Sequence, residues 1–151
     1  MQALTKGPKI VERILRVFPT DRLDEKITKD RFSAREIVAH LADYEQYALD
    51  VIRVANQKPG HTFEPFDNKV HAQEHHYADK EVFHEAEVFE SRRQMTLDYA
   101  IELKNSDEAK TINLGGKEIC IHTFLMDVIN HDLDLIDQLT TYLATEVATH
   151  S

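Results

Sequence analysis

Residues 121–146, IHTFLMDVINHDLDLIDQLTTYLATE, contain neither Gly nor Pro and place Phe124, Leu125, Val128, Leu135, Leu139 and Leu143 at helical intervals. That periodicity predicts one long amphipathic helix, and such a helix must lay its apolar stripe against others. Working back along the chain, Thr111-Ile-Asn-Leu-Gly-Gly-Lys-Glu-Ile119 reads as a tight hairpin-like turn around Gly115-Gly116. A helix is expected before it, starting after Asp79 as N-cap and ending near Lys104, with Val82, Ala86, Phe89, Leu97 and Ala100 inward. Ser33-Ala34-Arg35-Glu36 is a capping box, in which Ser33 and Glu36 each satisfy the other's free backbone N–H. The helix it opens carries Ile37, Leu41, Tyr44, Ala48 and Val51 on one face, and Pro59-Gly60 lies beyond its end. A first helix is expected from about Pro8 to Phe18, with Pro8 in the first turn and Pro19 stopping it.

Residues 57–79 make a link far longer than an antiparallel helix pair requires. A link of that length can travel the length of a bundle, which lets the second and third helices run parallel. The expectation is therefore an all-α four-helix bundle, with residues 1–151 as a single domain.

Composition narrows the function classes. The chain has 18 basic and 27 acidic residues, for a net charge of −9. Residues 1–31 carry eight Lys/Arg and five Asp/Glu, so the remainder is strongly acidic. Such a body repels phosphate backbones, and nucleic acid is not expected as a partner. No apolar run approaches the ~20 residues a membrane span needs, and the N-terminus shows no signal-peptide core. A single cysteine, Cys120, cannot form an internal disulfide, which points to a cytoplasmic protein. Cys120 sits where a helix dipole lowers a thiol pKa, but a small buried cap residue is the expected role.

Two of the nine histidines fall on inward faces. His40 lies in the stripe Ile37–His40–Tyr44–Tyr47–Val51, and His131 in Phe124–Val128–His131–Leu135. A buried imidazole must pair its nitrogens or bind a metal. Glu36 and Asp43 flank His40, and Asp127 and Asp134 flank His131, each three or four residues away. At that spacing a carboxylate can orient a ring or bind a cation directly. A hydrogen-bonded structural histidine, with the acids as solvated helix edges, is the competing reading.

The second-helix segment Ser33-Ala-Arg-Glu-Ile-Val-Ala-His40-Leu-Ala-Asp-Tyr-Glu45 resembles the signature of the DinB-like bundle proteins. Asn130-His131-Asp-Leu-Asp-Leu-Ile-Asp-Gln138 resembles their fourth-helix signature, and Phe63-Glu-Pro-Phe-Asp67 and Phe89-x3-Arg93 resemble further family segments. The resemblance implies a four-helix bundle with a long crossover between helices two and three, often a homodimer. It also implies a divalent-metal site built from one His of helix two and a His-x3-His pair of helix four, serving hydrolysis or the transfer of low-molecular-weight thiols. His40 matches the helix-two ligand and His131 the first of the helix-four pair.

The third ligand position holds Leu135, which binds no metal. Three outcomes follow. Asp134 or Asp127 supplies an oxygen, giving a set compatible with Zn, Fe or Mn, with Ni as a further candidate ion. Alternatively His71, His75 or His76 of the link reaches the site, with His71-x3-His75 sharing a face if residues 68–77 are helical. In the third, no metal binds and the bundle is a binding or dimerisation scaffold. Arg93, on the inward stripe of helix three, is expected to pair with Glu36 or Asp127, or to hold an anionic substrate. Tyr44 is a candidate proton or hydrogen-bond donor in a pocket for a small-molecule or thiol substrate.

Overall fold

The computed structural model describes residues 2–150, and side-chain surroundings for residues 3–145. The elements in chain order are α1 (Gln2–Val17), α2 (Ala34–Gln57), β1 (Thr62–Phe63), α3 (Asn68–Glu74), α4 (Val82–Ile101), α5 (Asn105–Glu108), β2 (Thr111–Leu114), β3 (Lys117–Cys120) and α6 (Ile121–His150). Short 3-10 turns cover Thr20–Arg22 and Tyr77–Asp79. The bundle is made by α1, α2, α4 and α6.

Ser33 opens α2 as its spacing predicts: its hydroxyl accepts from the Glu36 N–H and its N–H donates to Glu36. The Gly115-Gly116 turn forms with φ of 56° and 81°, the doubly left-handed geometry of a two-residue hairpin. One element was not legible beforehand. The two residues of β1 pair in parallel with β2, Thr62 against Asn113 and Phe63 against Leu114, fastening the link to the hairpin.

Two helix starts differ from expectation. The side chain capping α4 is Glu81, which accepts from the His84 N–H; Asp79 ends the preceding turn, and extended Lys80 separates the two. Helix α1 begins at Gln2, so Pro8 is interior rather than first-turn. A proline there leaves the Leu4 carbonyl without its helical donor, normally a cost of ~3 kcal/mol. That carbonyl accepts from Arg93 Nη1 at 2.7 Å instead.

Contacts between helices fix their directions. Along α2, Arg35 bonds the Lys80 carbonyl just before α4, Glu45 bonds Arg93, and Asn56 bonds Tyr99. Both numbers climb together, so α2 and α4 run parallel, and residues 58–81 return the chain between them. Against α6 the order reverses. The α2 start (Ala34–Ala42) packs with Leu135, Leu139 and Tyr142, and its end (Ala48–Ala55) with Ile121, Phe124, Leu125 and Val128.

These two apolar layers are separated by a polar waist. His40 and Glu45 of α2, Arg93 of α4 and Asp132 of α6 are all buried there. Among the described residues no helix is long and apolar enough to cross a membrane.

Candidate metal centre

His40 and His131 converge in the waist from α2 and α6, their Nε2 atoms 2.9 Å apart. Phe32, Phe66, Tyr44 and Tyr77 surround the His40 ring at centroid distances of 5.4–6.1 Å. Tyr44 stacks on His131 at 4.0 Å. Burial pushes His40 down to about 3, helped by the neighbouring His131 and opposed by Asp43. Burial likewise pushes His131 down to about 4, opposed by Asp134 and helped by Arg93. Both rings are neutral at pH 7, so one Nε2–H donates to the other Nε2. Neutral imidazole is also the form that ligates metals.

Among the described residues, the Nδ1 atoms of both rings are buried without a hydrogen-bond partner. Such orphans cost on the order of 1–3 kcal/mol each. The Nε2 pair therefore forms against an opposing cost, in an aromatic cage that fixes the rings. A cation ~2.0–2.1 Å from two tetrahedral ligands needs them roughly 3.3 Å apart. The rings fit one after parting by a few tenths of an ångström.

A cavity of 270 Å³ opens onto the pair, lined among others by Arg31, Lys69, Asp134 and Leu135. Leu135 is buried there. Asp134 shares the cavity and accepts from Gln138 Nε2 at 3.2 Å. Asp127 lines a different depression, beside Tyr44, Phe66 and His131. Glu36 is occupied by the α2 cap, with Lys26 at 3.5 Å.

Asp43 has turned to the link. Helix α3, capped by Asp67, is shorter than residues 68–77: it ends at Glu74 with His75 as its C-cap, whose N–H still donates to the His71 carbonyl one turn back. Asp43 Oδ2 lies 3.2 Å from His71 Nδ1 and 2.7 Å from His75 Nδ1, and accepts from the Tyr77 hydroxyl at 2.6 Å. Burial alone would raise the Asp43 carboxyl, but these donors hold it below the usual carboxylate range. Among the described residues, Asp43, His71 and His75 bring three ligand atoms within 4.8 Å of one another. His76 takes no part in that group; with φ of 52° it is the left-handed turn residue between α3 and Tyr77.

Arg93 departs from expectation. Its partners are Glu45 at 2.8–2.9 Å and Asp132 at 2.7–2.9 Å, each through two bonds, and neither Glu36 nor Asp127. Helical spacing places Arg93 inward but cannot say which turn of a neighbour it meets. The paired carboxylates raise the guanidinium pKa further, while burial lifts that of Asp132. With every Arg93 nitrogen engaged, it is a structural clasp. Cys120 is half-exposed rather than buried, and its Sγ lies 3.3 Å from Thr123 Oγ1, which lowers its pKa. Burial raises the Tyr44 phenol well above its ordinary value, so it stays a hydrogen-bond donor.

No family model and no curated protein matches the sequence. Solved structures do. YfiT from Bacillus subtilis, described as a probable metal-dependent hydrolase with an unusual four-helix bundle topology, superposes with a TM-score of 0.90 at 14% identity, over 96% of this chain and 84% of that one. A DinB-like protein from Bacillus cereus superposes with a TM-score of 0.63 at 15% identity, over 96% of this chain and 89% of that one. Parallel α2 and α4, both antiparallel to α6, together with these superpositions, give the chain the DinB-like four-helix-bundle fold.

Proposed function

We propose that this protein is a metal-dependent hydrolase in which His40 and His131 hold a divalent cation at the bundle waist. The observation that supports this is the convergence of two neutral imidazoles, Nε2 to Nε2 at 2.9 Å, inside an aromatic cage beside an open cavity. A divalent cation there supplies Lewis acidity and brings the pKa of a coordinated water towards neutrality. The chain's own groups do the rest. Tyr44 stacks on His131 and holds its plane. Asp134, facing the same cavity, is placed to accept a proton or orient water. The cavity lining carries Arg31 and Lys69 alongside Asp30 and Asp134, a mixed-charge surface suited to a small polar substrate.

Leu135 leaves the protein one ligand short, so the centre binds its ion more weakly than a three-His site would. The likeness to YfiT favours hydrolysis over thiol transfer. This assignment takes residues 1–151 as one cytoplasmic domain that forms a homodimer. Leu135 itself favours a second reading, a metal-free scaffold that has lost its site.

Elemental analysis of protein purified without a His tag decides between them. The metalloenzyme predicts a stoichiometric divalent ion at the waist that His40→Ala/His131→Ala abolishes. An ion content that the double variant leaves unchanged overturns the assignment.

A further inference from the structure

The Asp43 cluster lies outside the waist centre, and three of its features point to a ligand. First, His71 lies on α3 and His75 is its C-cap residue one turn on, and both Nδ1 atoms meet at the same carboxylate oxygen. Secondly, Asp43 reaches that point from α2, a different helix, completing a two-His, one-carboxylate set of the kind that divalent transition metals take. Thirdly, the cluster is over-supplied with donors. A carboxylate oxygen has two lone pairs, yet His71, His75 and Tyr77 all converge on Oδ2.

A cation bound by both Nδ1 atoms and Oδ2 relieves that competition. Each ring gives up an N–H donor role and becomes an acceptor towards the ion. The Tyr77 hydroxyl keeps its bond to the carboxylate and orients it, as outer partners of metal ligands do. Room exists on the open side: His75 is exposed, and a cavity of 340 Å³ is lined by Asp43, His75, Tyr77, Lys80, His84 and Arg92. Glu85 lines this cavity together with Lys80 and Arg92, and Arg92 Nη1 donates to the Ala42 carbonyl.

We infer that Asp43, His71 and His75 form a second divalent-cation site, distinct from the His40–His131 centre, with open coordination positions facing a polar cavity. Phe66 separates the two, stacking on the His71 ring at 3.8 Å and touching the His40 ring at 5.4 Å. The site also ties α3 to α2, so a bound ion pins the link across the bundle.

Cobalt(II) titration of chelator-treated protein tests this, read by visible d–d absorption, with far-UV circular dichroism to confirm folding. The parent is expected to take up two equivalents. His71→Ala/His75→Ala should remove one, with at least a hundredfold loss of affinity there, and leave the other. Tyr77→Phe should weaken the same equivalent by ~10–100-fold while keeping the stoichiometry. His75 is exposed, so His75→Ala alone gives a folded check. Unchanged stoichiometry and affinity in the His71→Ala/His75→Ala variant overturn the second site. Loss of the other equivalent in His40→Ala/His131→Ala speaks only to the waist centre, so either assignment can fail while the other stands.

Discussion

Arg93 Nη1 donates to the carbonyl oxygen of Leu4, the acceptor that Pro8 leaves without a donor one turn into α1. The same guanidinium holds Glu45 of α2 and Asp132 of α6, so one side chain of α4 clasps all four bundle helices. The clasp lies beside the histidine pair, since Asp132 follows His131 directly. Removing the guanidinium leaves two carboxylates and a carbonyl facing each other without a donor. Arg93→Ala should cost about 3–5 kcal/mol, the range for breaking a buried ion pair from one side. Urea unfolding of the variant measures it, and a loss below about 1 kcal/mol would mean that the clasp adds little.

Gly7 is required for the clasp to close. A Cβ there would stand 2.6 Å from Asp132 Oδ2 and 3.4 Å from Arg93 Nη1. In an ordinary helix Gly→Ala stabilises by up to ~1 kcal/mol. Here the carboxylate that must give way is held by two bonds from Arg93, one to each oxygen, so strain of about 1–3 kcal/mol should outweigh the propensity gain. Gly7→Ala is expected to lower the thermal midpoint. A raised midpoint would show that Asp132 can move freely.

The histidine pair sets an acid limit. The folded pKa values of about 3 and about 4 lie below the ordinary 6.5. Between pH 6.5 and about 4 the unfolded chain binds protons on these rings that the folded chain refuses. Their contribution is thus fully present above pH 6.5 and is lost as the pH falls, by up to ~1.4 kcal/mol per ring per pH unit. The rings titrate as a coupled pair, because protonating the acceptor ring also ends the Nε2–Nε2 bond. In metal-free protein, stability should fall more steeply from pH 6.5 to 4.5 than in His40→Leu/His131→Leu. Parallel slopes from denaturant midpoints would contradict the buried, neutral pair.

What the sequence discloses follows the range of each interaction. The Ser33–Glu36 box, the Gly115-Gly116 turn and the inward placement of His40 and His131 depend on spacings of one helical turn or less, which the chain order displays. Pro8 as an interior residue is invisible locally, since the donor that makes it tolerable belongs to Arg93, 89 residues beyond the Leu4 carbonyl it serves. The flanking acids mislead for a related reason. A residue three positions from an inward His is turned about 60° off its face. Asp43 thereby meets α3 rather than the His40 ring, and only docking of the link reveals it. The two-residue strand β1 carries no periodicity to read.

Leu135 offers the most direct test of the waist. It follows His131 by one turn on α6 and lines the same cavity as both imidazoles. Leu135→His would put a third imidazole beside the Nε2 pair and complete a three-nitrogen set with one open position. The substitution takes an apolar side chain out of the layer that packs on the start of α2, so the metal-free variant should be less stable than the parent, while the side chain also borders the cavity that would receive the ring. Added zinc or nickel should bind this variant at least tenfold more tightly than the parent. Metal should also raise its thermal midpoint as ligand concentration exceeds the dissociation constant. Read in the His71→Ala/His75→Ala background, the gain reports on the waist alone. No gain in that background would mean that position 135 does not face the metal point, and the two-histidine centre would lose its geometric basis.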